Sequence, residues 1–405
     1  MDRADVIVVG GGVSGLAFAA KAAKAGRKVV VVEREAGRVG GCLHTHRLGD
    51  GFWFEVGAHT TYNSYGGFLE LAEATGLAAG LMQRGPARGR FGLKRGDRWL
   101  WLSPPKILLQ LRWMELALHA PAGVLGGKEG KSVAGYYGGV VGPRNFREIL
   151  SPFFAAVPSQ NADGFPVQGA GSLFKKRPRR EEYPRSFGLP GGLQSLCEAV
   201  AKLPGITVEG GVEARRLGKS GDRFAVELSD GRTLEAAGCA LATPAPVTAA
   251  LVAPDRPRLA AAIRRIGGSS VETMGLVVAR EKVKIPEVAF LVAADDVYYS
   301  AVTRDTFPDA RWRAFAFHFK AGRAPRQEKL QRAAAALGVS PSDFVEVVEV
   351  HRTLPAPRLG HDAIVAEIDA ALAGDPLAVT GNYLQGLAIE DCVQRSYAEW
   401  KRVAG

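Results

Sequence analysis

Three observations predict an α/β chain with a dinucleotide-binding domain, a mixed α+β second domain and an inserted helical module. Residues 6–26, VIVVGGGVSGLAFAAKAAKAG, run from β-branched residues through glycines into a helix-like stretch with Gly26 as its C-cap. KVVVVE follows as a second continuous apolar strand of the kind buried in a parallel sheet, so β-α-β is complete within about thirty residues. Strand and helix signals resume after residue 186, beyond a segment of different character between 85 and 185.

The first turn carries the ligand argument. Gly10, Gly12 and Gly15 occupy the three glycine positions of the G-x-G-x-x-G fingerprint, for the turn, the approach of a pyrophosphate and helix–strand packing respectively. Glu33 follows Gly15 by eighteen residues, where a carboxylate accepts hydrogen bonds from ribose hydroxyls. The first domain is thus of the Rossmann type.

Later elements follow in order. SPPKILLQLRWMELALHAP starts at Ser103 with two prolines and predicts one amphipathic helix ending at Pro121, its apolar positions broken by Gln110, Arg112 and Glu115. KKRPRR at 175–180 reads as a solvated basic loop, with contact to an anionic membrane as the second reading. The segment after GLPGGL predicts a helix with Leu193, Leu196, Cys197 and Val200 on one face, then a strand reaching Val212. Alternation about Asp230–Gly231 predicts a two-residue hairpin, and CALATPAP a buried strand with a proline stop. TMGLVVA and RAFAFHF are strands of a mixed region. The expected division is 1–80, 186–262 and 363–405 for the nucleotide domain, 81–185 for the helical module and 263–362 for the substrate domain.

Composition excludes several classes. With 405 residues and 47% hydrophobic content, two or three folded domains are expected. The net charge of +11 is spread along the chain with no zinc-finger or RNA-binding signature, so nucleic acid is not an expected partner. Cys42, Cys197, Cys239 and Cys392 lack paired spacing, which fits a reducing cytoplasm. No metal site is expected, because Cys42, His44 and His46 alternate along a strand with no fourth ligand. No leader is expected before a strand that starts by Val6, and no apolar run approaches the ~20 residues of a membrane span, so any membrane contact would be peripheral.

EREAGRVGGCLHTHR, with Arg38 and the pair Gly40–Gly41 after the ribose acid, and GFWFEVGAHTTY beyond it resemble the FAD-dependent amine oxidase superfamily. That resemblance implies noncovalent FAD, adds Arg34 to the cofactor set, and places Gly57, Ala58 and His59 near the flavin ring and Val212 against the adenine. GNYLQGLAIEDC at 381–392 resembles the closing flavin motif of the protoporphyrinogen oxidase branch, as do HRTLPAPRLGH, REILSPFFAAVPSQNADGFP and GLPGGLQSL. By this resemblance Gly381, Asn382 and Gly386 let a final helix direct the N–H groups of Leu387, Ala388 and Ile389 at the cofactor. RGRFGLKRG resembles the segment where the branch places a carboxylate-binding arginine, which makes Arg90 a candidate beside His59 as a proton carrier. Arg395–Ser396 departs from the branch's serine–glycine pair, and Thr273 stands where amine oxidases carry a lysine, which disfavours an amine substrate. The implied activity is hydride transfer from a porphyrinogen-like, hydrophobic, carboxylate-bearing molecule to flavin, with oxygen or another acceptor. Alternatives are an amine oxidase or carotenoid-type desaturase, and a non-catalytic FAD-binding partner.

Overall fold

The computed structural model describes residues 4–96 and 98–404. Its nucleotide-side sheet has five parallel strands in the order Ile206–Gly210, Val29–Glu33, Val6–Val9, Gly238–Leu241 and Leu377–Val379. Three separate stretches of chain supply them. Alternate side chains of the opening strand enter different cores: Val6 and Val8 pack with Leu16 and Phe18 of the helix Val13–Lys24, whereas Ile7 and Val9 pack with Phe224, Leu377 and Val379. Burial on both faces is the reason the strands read as continuous apolar runs. The closing helix, Ile389–Ala404, lies on the opening one, with Trp400 edge-on to the fully buried Phe18 at 5.5 Å. Burying a phenylalanine in this way stabilises the pairing by about 1.5–3 kcal/mol.

A seven-stranded mixed sheet faces it in the order Phe344–Pro355, Gly268–Ala279, Trp312–Lys320, Tyr298–Thr303, Phe290–Ala293, Phe91–Arg95 and Arg98–Leu102. The pairing of 290–293 with 91–95 is parallel and the rest are antiparallel. The hairpin 91–102 therefore belongs to this sheet, not to the helical segment expected across 81–185. Its position follows from Phe91 and Leu93, which pack with Leu102 and Val292.

Two local expectations are corrected. The helix expected from 103 to 121 is two helices, Pro104–Leu108 and Trp113–Leu125, and the second continues through Pro121. The break occurs where the Asn145 carboxamide accepts from the Arg112 N–H at 2.8 Å, taking the donor a continuous helix would use, while the Arg112 carbonyl accepts both from Asn145 at 3.1 Å and from the Leu116 N–H that opens the second helix. The Asp230–Gly231 turn is wider than a two-residue hairpin, since strands end at Leu228 and resume at Thr233, with Gly231 at φ +85°.

The basic run is also not a free loop. Arg177 and Lys175 reach the buried Asp391 at 2.7 and 3.1 Å, and Arg180 binds Glu73 at 2.7 Å and Glu182 at 2.8 Å. These charges fasten the segment to the start of the closing helix and to the helix Gly66–Ala74.

Candidate active site

At the carboxyl ends of the parallel strands the ligand surface is backbone. The opening helix has Gly12 at its N-cap with no side-chain cap, leaving its first-turn N–H groups open. A Cβ on Gly15 would lie 1.9 Å from the Gly10 carbonyl oxygen, so only glycine allows this helix–strand approach. Gly12 is different: a Cβ there would meet nothing nearer than the Gly41 Cα at 3.8 Å, an ordinary van der Waals contact. Gly40 donates to the Gly11 carbonyl at 2.8 Å and brings the second pair alongside the first. Glu33 Oε2 accepts from the Gly11 N–H at 2.7 Å and Oε1 from the Glu35 N–H at 2.9 Å, and each carboxylate oxygen retains acceptor capacity for a ribose hydroxyl. Val212 donates its N–H to the Glu33 carbonyl at 3.2 Å, which holds it at the nucleotide end. Arg38 is held by Glu35 at 2.5 Å and by the Gly41 carbonyl at 3.3 Å, while Arg34 is exposed.

The closing turn meets this surface. Gly381 and Gly386 adopt φ +145° and +154°, and a Cβ on Gly386 would strike the Asp391 carboxylate at 2.5 Å. Glu390, almost fully buried, accepts from the Gly67 and Phe68 N–H groups at 2.9 and 3.1 Å, capping another helix. Burial pushes its carboxyl up, opposed by those N–H groups. The helix thus begins at Ile389, just after Leu387 and Ala388, and the Ala388 carbonyl accepts from the Cys392 N–H at 3.2 Å.

The seven-stranded sheet presents side chains. Gly57 and Ala58 extend the hairpin Thr45–Arg47/Trp53–Glu55, with Ala58 N–H on the Cys42 carbonyl at 2.8 Å, and deliver His59 to the sheet. His59 Nε2 lies 2.9 Å from His318 Nε2, and His318 Nδ1 lies 3.0 Å from Thr273 Oγ1, a register pair across two strands. Burial holds His318 down at about 4 and His59 well below the usual imidazole range, so both rings are neutral. The three groups form a continuous hydrogen-bonded chain.

Beside it, Arg84 is 93% buried and donates to Thr60 Oγ1 at 2.6 Å, the residue next to His59. Arg90 is exposed, and its backbone joins the turn Pro86–Gly89 to Ala289. The buried guanidinium near His59 is therefore Arg84's, not Arg90's. A cavity of about 20 Å³ behind His59, lined by Trp53, Glu55, Thr303, Arg304 and Phe307, has room for one water and not for a substrate. Burial pushes Glu55 up to about 7 even though Leu193 N–H and the Thr45 hydroxyl donate to it at 2.7 and 2.8 Å. His44 and His46 are engaged by Arg352 at 3.0 Å and Glu346 at 3.1 Å. Sequence reasoning missed His318 and Arg84: a histidine inside the otherwise apolar run RAFAFHF was the available signal for the first, and nothing local marked the second.

A parallel sheet with a glycine cradle, together with a mixed sheet carrying a hydrogen-bonded histidine pair, defines a two-domain flavin-dependent oxidoreductase. The comparisons agree. Residues 8–74 match an NAD(P)-binding Rossmann-like domain and residues 140–315 match the family described as flavin containing amine oxidoreductase, and the chain belongs to the FAD-dependent amine oxidase superfamily. A provisionally named protoporphyrinogen oxidase from Exiguobacterium sp. 255-15 superposes with TM-score 0.80 at 18% identity, covering 99% of this chain and 98% of that one. Cyclohexylamine oxidase from Brevibacterium oxydans IH-35A gives 0.70 at 17%, covering 100% of both chains. These likenesses are of fold. All-trans-retinol 13,14-reductase of Danio rerio is 51% identical over 55 residues, which is 14% of this chain and 9% of that relative's length.

The cofactor is FAD. The start of the opening helix, where Gly12 has no side-chain cap, fits its pyrophosphate, and Glu33 retains the acceptors a ribose requires.

Proposed function

We propose that this protein is an oxidase of the protoporphyrinogen oxidase type, acting on a hydrophobic, porphyrinogen-like molecule with oxygen or another terminal acceptor. The observation that carries the reading is the neutral chain Thr273–His318–His59 at the substrate wall, where an amine oxidase would carry a lysine. Bound FAD supplies a two-electron acceptor for hydride. The protein's share is to hold the donor in a dry site and to take the proton that its pyrrole nitrogen loses. His59 Nδ1 accepts that proton, Nε2–H donates to His318 Nε2, and His318 Nδ1–H donates to the threonine oxygen, so the transient charge spreads over two rings. Gly10, Gly12, Gly15, Glu33, Arg38, Gly40, Gly41, Val212 and the first turn of the closing helix hold the cofactor in this reading.

The helix Trp113–Leu125 supports a second element of the proposal, contact with an anionic membrane surface through which a hydrophobic product leaves. Met114, Leu118 and Leu125 are 83, 80 and 87% exposed, and with Ala117 and Pro121 they form one apolar stripe at helical spacing. Arg112 and Lys128 flank the stripe and suit anionic headgroups. Among the described residues no helix is long and apolar enough to cross a membrane.

Incubation of the FAD-loaded protein with protoporphyrinogen or coproporphyrinogen in air tests the substrate. Porphyrin fluorescence should rise above the uncatalysed rate. Consumption of an amine or polyene with neither porphyrinogen touched would replace the reading. Leu118→Glu should abolish cosedimentation with anionic vesicles at low salt, and equal recovery of wild type with and without vesicles would remove the membrane element.

A further inference from the structure

We propose that Glu55 is a positioning residue for His59, acting across one buried water that it shares with Arg304, and that its ionised carboxylate supports the positive charge His59 takes on with the substrate's proton. The inference deepens the oxidase reading and rests on it for the origin of that proton.

The three side chains meet at the cavity behind His59. Glu55, His59 and Arg304 all line it, and its volume of about 20 Å³ admits one water. Arg304 offers that water a donor: its Nε is buried with no hydrogen-bond partner, although Nη1 donates to the Phe307 carbonyl. The rings of Phe52 and Trp53, centred 4.6 and 4.7 Å from the guanidinium carbon, hold the group in place. Glu55 offers the acceptor. Its two oxygens take one hydrogen bond each, from the Leu193 N–H and the Thr45 hydroxyl, and keep lone pairs for a water proton. A water accepting from Arg304 Nε and donating to Glu55 satisfies both groups.

The other groups facing His59 oppose an imidazolium. Burial holds its ring down, and the charges His318 and Arg84 carry act in the same direction. Glu55 is the one carboxylate among the residues lining the cavity. Burial pushes it up to about 7, against the Leu193 N–H, the Thr45 hydroxyl, Arg47 and Arg304. Of these two cations, Arg47 is bound by Glu198 at 2.8 Å, and burial holds Arg304 down against the charges of Asp309 and Glu55. In a low-dielectric site an ionised acid across one water favours the imidazolium, and a neutral acid does not. His59 therefore takes a proton more readily when Glu55 is ionised than when it is neutral.

Nuclear magnetic resonance of the FAD-loaded protein with ¹³C in its histidine rings tests this without any substrate. The His59 signal is assigned by its loss in His59→Asn and followed from about pH 5.5 to 9, a window above the range in which burial leaves His59 itself able to titrate. In wild type it should shift with a midpoint of about 7, the ionisation of Glu55. Glu55→Gln should remove the shift, and Arg304→Met should move its midpoint to higher pH, because the carboxylate loses a nearby cation. If Glu55→Gln does not load flavin, Arg304→Met carries the test, and an unchanged midpoint there overturns the proposal. A His59 signal that does not move in wild type, or that moves equally in Glu55→Gln, also overturns it. In anaerobic mixing with protoporphyrinogen, flavin reduction should quicken about tenfold across the same midpoint in wild type and stay at the low-pH rate in Glu55→Gln. Equal slowing of that variant at both ends of the range would mean a merely structural role. A wild type whose His59 titrates as expected but whose flavin no porphyrinogen reduces sinks the oxidase reading alone.

Discussion

The two sheets prepare their surfaces by opposite means. On the five-stranded sheet the ligand meets main chain: the opening helix starts at Gly12 with no side-chain cap, Gly40 ties the second glycine pair to Gly11, and Glu33 lies at the turn. On the seven-stranded sheet the ligand meets side chains, with His59, His318, Thr273 and Arg84 gathered from four separate segments. A backbone cradle tolerates almost no added atoms and binds one cofactor. A side-chain wall can be varied residue by residue, and that is where superfamily members can diverge in substrate while keeping the fold.

The largest effect should come from the cradle. Gly15→Val drives a side chain into the Gly10 carbonyl and should abolish both FAD binding and a cooperative melt. Gly12→Val adds a Cβ that meets nothing nearer than 3.8 Å, so it should abolish FAD binding while leaving the Tm of the FAD-free protein within a few degrees of wild type. Equal damage from both would mean that Gly12 serves packing, not ligand approach.

Next in size, His318→Asn should slow flavin reduction by about 10²–10⁴-fold with FAD affinity unchanged. Glu33→Gln should do the reverse, weakening FAD by about 10–100-fold, as loss of charge-assisted hydrogen bonds requires, with little change in the reduction rate of protein saturated with FAD. An effect of either variant on both quantities would blur the division between the two halves.

The smallest effect is on stability against pH. Glu55 has its folded pKa raised from 4.5 to about 7, so its contribution is full below 4.5 and is lost as pH rises towards 7. His318 has its folded pKa lowered from 6.5 to about 4, so its contribution is full above 6.5 and is lost as pH falls towards 4. The two oppose each other between pH 4.5 and 6.5. Relative to wild type, Glu55→Gln should therefore make Tm fall more steeply on acidification through that window, and His318→Asn less steeply. Parallel melting profiles for all three proteins would show that neither group titrates differently on folding.

The cradle was legible in sequence because its parts are local: Gly10 to Gly15 lie in one turn and Glu33 at the end of the next strand. The wall was not, because His59 and His318 are 259 residues apart, and Thr273 meets His318 only through the register of two long strands. Arg84 and Arg90 flank a short 3₁₀ turn, Pro86–Gly89, and no periodicity says which of them turns inward. The charges of 175–180 were visible, but Asp391, which neutralises Lys175 and Arg177, lies more than 200 residues on. The same holds for the helix break at Arg112, made by a carboxamide 33 residues away.

A donor on the His59–His318–Thr273 wall should reduce FAD held in the glycine cradle. Anaerobic rapid mixing of the FAD-loaded protein with protoporphyrinogen, followed at the visible flavin band, tests it without reference to the terminal acceptor. Wild type should bleach saturably, and His318→Asn at the same flavin content should bleach orders of magnitude more slowly. Bleaching of equal rate in both proteins, or none in either while an amine bleaches wild type, would contradict it.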